Sequence, residues 1–332
     1  MSFSSEVKEE LAEKTDNARH CRIAQVAALL HASGWVEDGT VGIRTENEYA
    51  AKSFEEYLEK MVSERVIREV SSGGPRGGFF RVYIKNKNEI RHLLEAVKME
   101  GCFPDEENNH IQDQELTARL RTEDPDRFLL QKTCCRKAFL RGMFLASGSV
   151  SDPGKSYHFE IVCPFQEDAQ YLVRLMRSLD LDAKIVVRKR KTDSGQSGLK
   201  YVVYLKEGEQ ISDVLGTMGA FQSLMSLENA RILKNIAGQV NRQVNCEIAN
   251  QFKTVDASVR QREDIRYLED TIGLDTLPPS LEQTARLRLE MPDATLRELS
   301  QAADPPVGKS GINHRLQRLC VLAAKLREGG HI

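Results

Sequence analysis

Shifted by 114 positions, the chain matches itself. Residues 21–39 read CRIAQVAALLHASGWVEDG and residues 135–153 read CRKAFLRGMFLASGSVSDP, with eight of nineteen positions identical. The same shift pairs Tyr57-Leu58 with Tyr171-Leu172 and Met61-Val62 with Leu175-Met176. A solenoid needs at least ~3 stacked repeats. Two copies predict instead one pseudo-twofold domain, the fused form of a symmetric dimer.

Each copy has the same layout. A helix, 21–33 or 135–147, runs up to Gly34 or Gly148, where glycine suits a left-handed C′ position. Extended segments follow at 39–45 and 156–163. An amphipathic helix comes next, with Phe54, Tyr57, Leu58, Met61 and Val62 on one face. Hairpins then pair Val66–Val70 with Phe79–Lys85 around a glycine-rich turn, and 184–191 with 200–206 around Asp193–Gly198. Short helices at 88–98 and 208–217 close the copies. The module is helix, two strands, helix, two strands, helix, so the fold class is α+β. Ala24, Ala28 and Ala32 recur every fourth residue in the first helix, as do Ala138, Gly142 and Ala146 in its twin. Residues four apart share a helix face, and a small-residue stripe lets two backbones approach closely. The natural partner of each stripe is the other.

Charge divides the chain further. Net charge is -2 over 332 residues, so any binding of a polyanion must come from local patches. Residues 127–148 and 309–327 each carry five Lys or Arg and no acid, and Arg188-Lys189-Arg190-Lys191 forms a third run. Each alone reads as a solvated face; three together favour a polyanion partner. Residues 101–126 hold eight acids and two arginines and read as a linker. The expected division is 1–104 for the first copy, 105–126 for the linker, 127–221 for the second copy and 222–332 for a helical domain. No apolar run approaches the ~18 residues of a membrane span, and the N-terminus lacks the pattern of a secretory signal. Seven cysteines without C-x-x-C suit a reducing cytosol. The vicinal pair Cys134-Cys135 is by itself a poor disulfide and a poor zinc chelate. No cofactor or metal is expected. His31 and the repeat-matched Cys21 and Cys135 read as packed residues.

Leu140-Arg141-Gly142-Met143-Phe144-Leu145-Ala146-Ser147-Gly148 resembles the LAGLIDADG signature of homing endonucleases, and Val26–Gly34 is a weaker twin. The resemblance implies that the two signature helices form the pseudo-twofold interface and that curved strands beside them face DNA. It also implies an acidic metal ligand at the eighth motif position. Here those positions are Ser33 and Ser147. A neutral hydroxyl is a poor Mg²⁺ ligand, so the fold is expected and the nuclease is not. Asp38 and Asp152 read as turn residues.

From 222 the pattern is helical, with helices expected at 224–240, 242–252, 254–272 and 281–290. Thr295–Ala303 follows with a Thr N-cap and Glu298 three residues on, a capping box. After the break Asp304–Gly308, residues 309–327 form a basic helix with Ile312, Leu316 and Leu319 on one side. A short helix, a tight break and a basic helix at about 295–327 make a helix-turn-helix. Lys309, Ser310, Asn313, His314, Arg315 and Arg318 are its candidate DNA contacts: Asn for base edges, Lys and Arg for phosphates. In the repeat domain, period two places Arg81 and Lys85, and likewise Arg188 and Arg190, on single strand faces. With Lys200 they either approach a duplex or form a solvated outer face.

The order of parts resembles the WhiA sporulation and cell-division regulators of Gram-positive bacteria, over essentially the whole chain. Cys134–Gly142, Val244–Glu247 with Lys253–Ala257, and Lys309–Leu316 carry that resemblance. It implies a non-catalytic, sequence-specific transcription regulator acting on promoter DNA in the cytoplasm at the nucleoid, with RNA polymerase or another transcription factor as a protein partner. Composition and spacing alone reach a bipartite DNA binder. Two rival readings are an active metal-dependent nuclease and an adaptor whose repeat domain binds protein.

Overall fold

The computed structural model describes residues 2–14, 16–71, 78–99, 120, 129–191 and 197–329. The stretch expected as a linker lies outside them apart from Leu120, which is buried. So do the turn residues 73–77 and 193–196. The chain forms two compact units, Met1–Lys234 and Asn235–Ile332.

The first unit opens with α1 (Phe3–Glu13), which sequence periodicity did not mark. Two copies of one module follow: α2 (Arg19–Ser33), β1 (Gly34–Glu37), β2 (Thr40–Thr45), α3 (Glu48–Glu59), β3 (Ile67–Ser71), β4 (Phe79–Ile84) and α4 (Lys87–Ala96); then α5 (Thr133–Ser147), β5 (Gly148–Val150), β6 (Phe159–Cys163), α6 (Gln166–Arg177), β7 (Lys184–Lys191), β8 (Ser197–Leu205) and α7 (Gly208–Met218). The two antiparallel sheets have the same order, β1-β2-β4-β3 and β5-β6-β8-β7. The αββαββα reading holds in both copies.

The packing of α2 on α5 organises this unit. Ala24, Ala28 and Ala138 are fully buried. A Cβ placed on Gly142 would lie 2.7 Å from the Ala28 Cβ and 2.7 Å from the Gln25 carbonyl oxygen. The crossing therefore tolerates no side chain at 142. The glycines at the helix ends have a different reason from the one expected. Gly34 (φ -66°) and Gly148 (φ -87°) are extended, not left-handed. A Cβ would lie 2.2 Å from the Leu30 carbonyl oxygen at Gly34 and 2.2 Å from the Phe144 ring at Gly148. Each strand starts so close to the last helical turn that only glycine fits. Asp38 is a turn residue as expected, at φ 51° beside Gly39 at φ 70°, the backbone of a tight hairpin. Asp152 accepts from the Gly154 amide at 2.8 Å in a local turn.

Helix α8 (Phe221–Ile272) runs through the division between the units. Three separate helices were expected over this span, and one continuous helix is found. No proline interrupts it, and its side chains are mostly exposed between 229 and 257, so no burial rhythm marks internal ends. Its N-terminus is capped from α1: Glu10 accepts from the amides of Gln222 and Ser223 and from the Ser223 hydroxyl.

In the second unit, a 3₁₀ turn (Leu274–Thr276) leads to α9 (Pro279–Glu290), α10 (Leu296–Ala302) and α11 (Lys309–Arg327). The capping box forms as read: the Thr295 hydroxyl accepts from the Glu298 amide, and the Glu298 carboxylate accepts from the Thr295 amide at 2.7 Å. Leu299, Ile312, Leu316 and Leu319 share a core with Ile265, Leu268 and Ala285, and Leu296 packs against it. Gly311 makes the break tight, since a Cβ there would lie 2.4 Å from a Val307 methyl.

Candidate nucleic-acid interface

Three places carry the residues marked by the sequence. The first is α11. Burying Ile312, Leu316 and Leu319 turns the remaining arc of the helix outward. Lys309, Ser310, His314 and Arg318 are exposed, and Asn313 and Arg315 are half-buried at its margin. None of the six side chains makes a hydrogen bond or ion pair to another described residue, so their polar atoms are available to a ligand. With Gly308 at the N-cap, no side chain caps the first amides of the helix. Arg327, counted in the same basic run, is otherwise engaged. Its guanidinium reaches Asp264 at 2.7 Å and lies over the Tyr267 ring at 4.6 Å.

The second place is the outer face of each sheet. In the first copy the register sets Arg81 opposite Arg44. Arg81 sits over Trp35 and 3.4 Å from Glu37, and Arg44 stacks on Phe79 at 4.1 Å. Lys85 lies over Tyr83 at 5.5 Å. In the second copy Arg188 pairs directly with Lys200, a like-charge juxtaposition that disfavours the sheet in isolation. Glu160 offsets it, 2.8 Å from Arg188 and 3.0 Å from His158. Burial pushes the Glu160 carboxyl up, but the hydrogen bonds and charges of His158 and Arg188 outweigh it and hold the group below its usual range. The backbone of Arg190 pairs with Gly198; its side chain lies outside the described residues. The sequence reading missed Arg44 and Lys184 on these faces. Cross-strand register places them there, and periodicity within one strand does not report it.

The third place is an open cleft of 720 Å³ between the C-terminal ends of α2 and α5, lined by Lys8, Ser33, Arg44, Glu46, Asn47 and Ser147 among others. Both serines turn back on their own helices. The Ser33 hydroxyl donates to the Leu29 carbonyl at 2.9 Å and that of Ser147 to Met143 at 3.3 Å. The lining residues include one carboxylate, Glu46, and two cations, Lys8 and Arg44. Burial lowers the Lys8 pKa to about 8. One carboxylate beside two hydroxyls bonded to backbone carbonyls does not make a carboxylate cage for Mg²⁺.

Two residues of the first basic run leave the surface set. Arg141 is buried: its Nε donates to the Met218 carbonyl at 2.9 Å, and its Nη1 reaches Asp16 at 2.6 Å and Gln25 at 3.1 Å. Arg136 Nε donates to the Leu130 carbonyl at 2.8 Å. Lys132 and Lys137 remain exposed. His31 is packed, 3.1 Å from buried Asp168 without hydrogen-bond alignment, and beside the Phe139 ring.

The fold defines a two-part protein: a LAGLIDADG-like domain built from two like copies, joined to a helix-turn-helix domain. The model of the WhiA LAGLIDADG-like domain matches residues 24–114 and 136–237, and that of the WhiA C-terminal HTH domain matches 240–323. The chain belongs to the WhiA family. It is 43% identical to the probable cell division protein WhiA of Lachnoclostridium phytofermentans, covering 99% of this chain and 100% of the relative. It is also 43% identical to that of Lachnospira eligens, covering 99% and 98%. The structure of full-length WhiA from Thermotoga maritima shares the fold, with a TM-score of 0.57 at 21% identity over 98% of this chain and 99% of that one. No helix among the described residues is long and apolar enough to cross a membrane.

Proposed function

We propose that this member of the WhiA cell division family is a non-catalytic, sequence-specific DNA-binding transcription regulator acting in sporulation or in cell division and chromosome segregation. Promoter duplexes are its main partner, at the nucleoid in the cytoplasm, with RNA polymerase or another transcription factor as a protein partner. The observation that carries the reading is α11, whose outward arc holds Lys309, Ser310, Asn313, His314, Arg315 and Arg318 with no competing partner among the described residues. Its geometry suits the second helix of a helix-turn-helix, whose N-terminal residues enter the major groove. The outer sheet residues Arg81, Lys85, Arg188, Arg190 and Lys200 give a second, sequence-independent contact to phosphates.

The absence of catalysis rests on Ser33 and Ser147, whose hydroxyls are spent on backbone carbonyls in a cleft with Lys8 and Arg44. A supercoiled plasmid incubated with the protein and Mg²⁺ or Mn²⁺ tests it: a retarded but intact plasmid is expected, and linear or nicked product would establish the nuclease instead. An adaptor reading, with protein on the repeat domain, is separated by Arg188→Ala/Lys200→Ala in the full chain. Lower DNA affinity and a flatter salt dependence support contact with DNA, and unchanged binding supports the adaptor.

A further inference from the structure

The repeat places His20-Cys21 and Cys134-Cys135 at equivalent positions, 114 apart. Helix α2 starts at Arg19 and α5 at Thr133, so each pair occupies the second and third positions of its helix. Side-by-side packing of the helices brings the two first turns together. His20 Nδ1 lies 3.2 Å from Cys135 Sγ, 3.3 Å from Cys21 Sγ and 4.0 Å from Cys134 Sγ. All four ligand atoms lie within 4.8 Å of one another. Read as one vicinal pair, Cys134-Cys135 makes a poor chelate. The fold supplies the second pair that the local sequence lacks.

The spacing suits a tetrahedral ion. Zinc–sulfur bonds of about 2.3 Å and zinc–nitrogen bonds of about 2.0 Å separate neighbouring ligand atoms by about 3.4–3.8 Å. The cluster brackets that range, and small side-chain rotations close the difference. Three thiolates and an imidazole are soft donors, which select zinc over magnesium or calcium. The cysteines sit in the first turns of the two helices, where the amide dipoles favour thiolate. Cys21 and Cys135 are buried while His20 and Cys134 are exposed, which leaves a path in for the ion.

We propose that His20, Cys21, Cys134 and Cys135 hold one zinc ion that staples the first turns of α2 and α5. Four protein ligands leave no open coordination position, so the site is structural. It lies at the opposite end of these helices from Ser33 and Ser147, about 20 Å away along a 15-residue helix, and is separate from the cleft. Binding exchanges thiol protons for metal: each coordinating cysteine releases its proton to solvent as its Zn–S bond forms, with no change in oxidation state.

The test uses the full chain, purified under reducing conditions without chelator. Elemental analysis should find one zinc per chain. Protein stripped by chelator should melt at lower temperature. Titrated with Co²⁺ it should saturate at one equivalent, with thiolate-to-cobalt charge-transfer absorption and the strong visible bands of a tetrahedral site. Cys21→Ser/Cys135→Ser should abolish both signals, whereas His20→Cys should keep one equivalent and strengthen the charge-transfer band. If the double cysteine variant fails to fold, His20→Ala, at an exposed position, carries the test and should weaken zinc binding by more than about tenfold. Absent zinc together with a featureless Co²⁺ titration would overturn the proposal. So would a disulfide among these cysteines in place of metal, unchanged zinc affinity in His20→Ala, or stoichiometric metal persisting in a folded double variant.

Discussion

Arg141 stands in the signature helix and points inward, where its guanidinium ties together Asp16, Gln25 and the Met218 carbonyl, while Gln25 donates onward to Ser53 at 2.8 Å. Removing one partner of a buried, hydrogen-bonded pair costs far more than the pair itself contributes, because the remaining groups stay desolvated. Arg141→Ala is expected to destabilise the repeat domain by about 3 kcal/mol, read as a lower urea midpoint; a midpoint within experimental error of the parent would refute the network. Lys8 behaves in the opposite sense. Burial lowers its pKa from 10.5 to about 8, so between those values the unfolded chain binds more protons than the folded one and stability rises with pH. Below about pH 8 the folded state bears the cost of the half-buried ammonium. Lys8→Met should therefore stabilise the protein at pH 7, by up to about 3 kcal/mol, and the gain should shrink as pH climbs toward 10.5. A gain that does not vary with pH would refute this. Neither residue's role was legible in the sequence. Arg141 reads as one more cation in a basic run, because its acceptors lie 77, 116 and 125 positions away. Lys8 lies outside the repeat altogether.

At the scale of elements, Gly142 shows what a sequence can and cannot say. Its place in a helix, where glycine costs about 1 kcal/mol relative to alanine, marks it as a close approach, and Ala28 lies opposite as the repeat implies. Gly34 and Gly148 were equally visible, but their reason lies in the strand folding back on its helix rather than in a left-handed cap. Gly142→Ala gains helix propensity and loses packing. With a Cβ 2.7 Å from both Ala28 and the Gln25 backbone, overpacking of about 1–3 kcal/mol prevails. Net destabilisation is expected, with partial rescue by Ala28→Gly and none by a small-residue change away from the crossing. Stabilisation by Gly142→Ala would mean that the helices do not meet there. The helices of the second unit were legible wherever one face is buried. α10 and α11 carry a capping box and an apolar stripe, and their limits match to within a residue or two. α8 was read as three helices because its exposed middle has no burial period.

The whole molecule joins a repeat domain with two basic sheet faces to a helix-turn-helix whose outward side chains have no partner among the described residues. The family followed from order and motif. The division of labour between the parts did not, since it depends on which cations are already paired. Arg141, Arg136 and Arg327 have partners within the chain, Arg81 and Arg188 in part, and the Arg315 and Arg318 side chains none among the described residues. Equilibrium titration of the full chain and its variants against a preferred and a scrambled duplex, at several salt concentrations, tests the central claim most directly. Each lost phosphate contact should flatten the slope of log affinity against log salt by about 0.9, so Arg315→Ala and Arg318→Ala should weaken both duplexes alike. Asn313→Ala should cost about 1–3 kcal/mol on the preferred duplex and little on the scrambled one. Equal loss on both duplexes would contradict base reading by Asn313, and no change in any of the three variants would contradict α11 as the recognition helix.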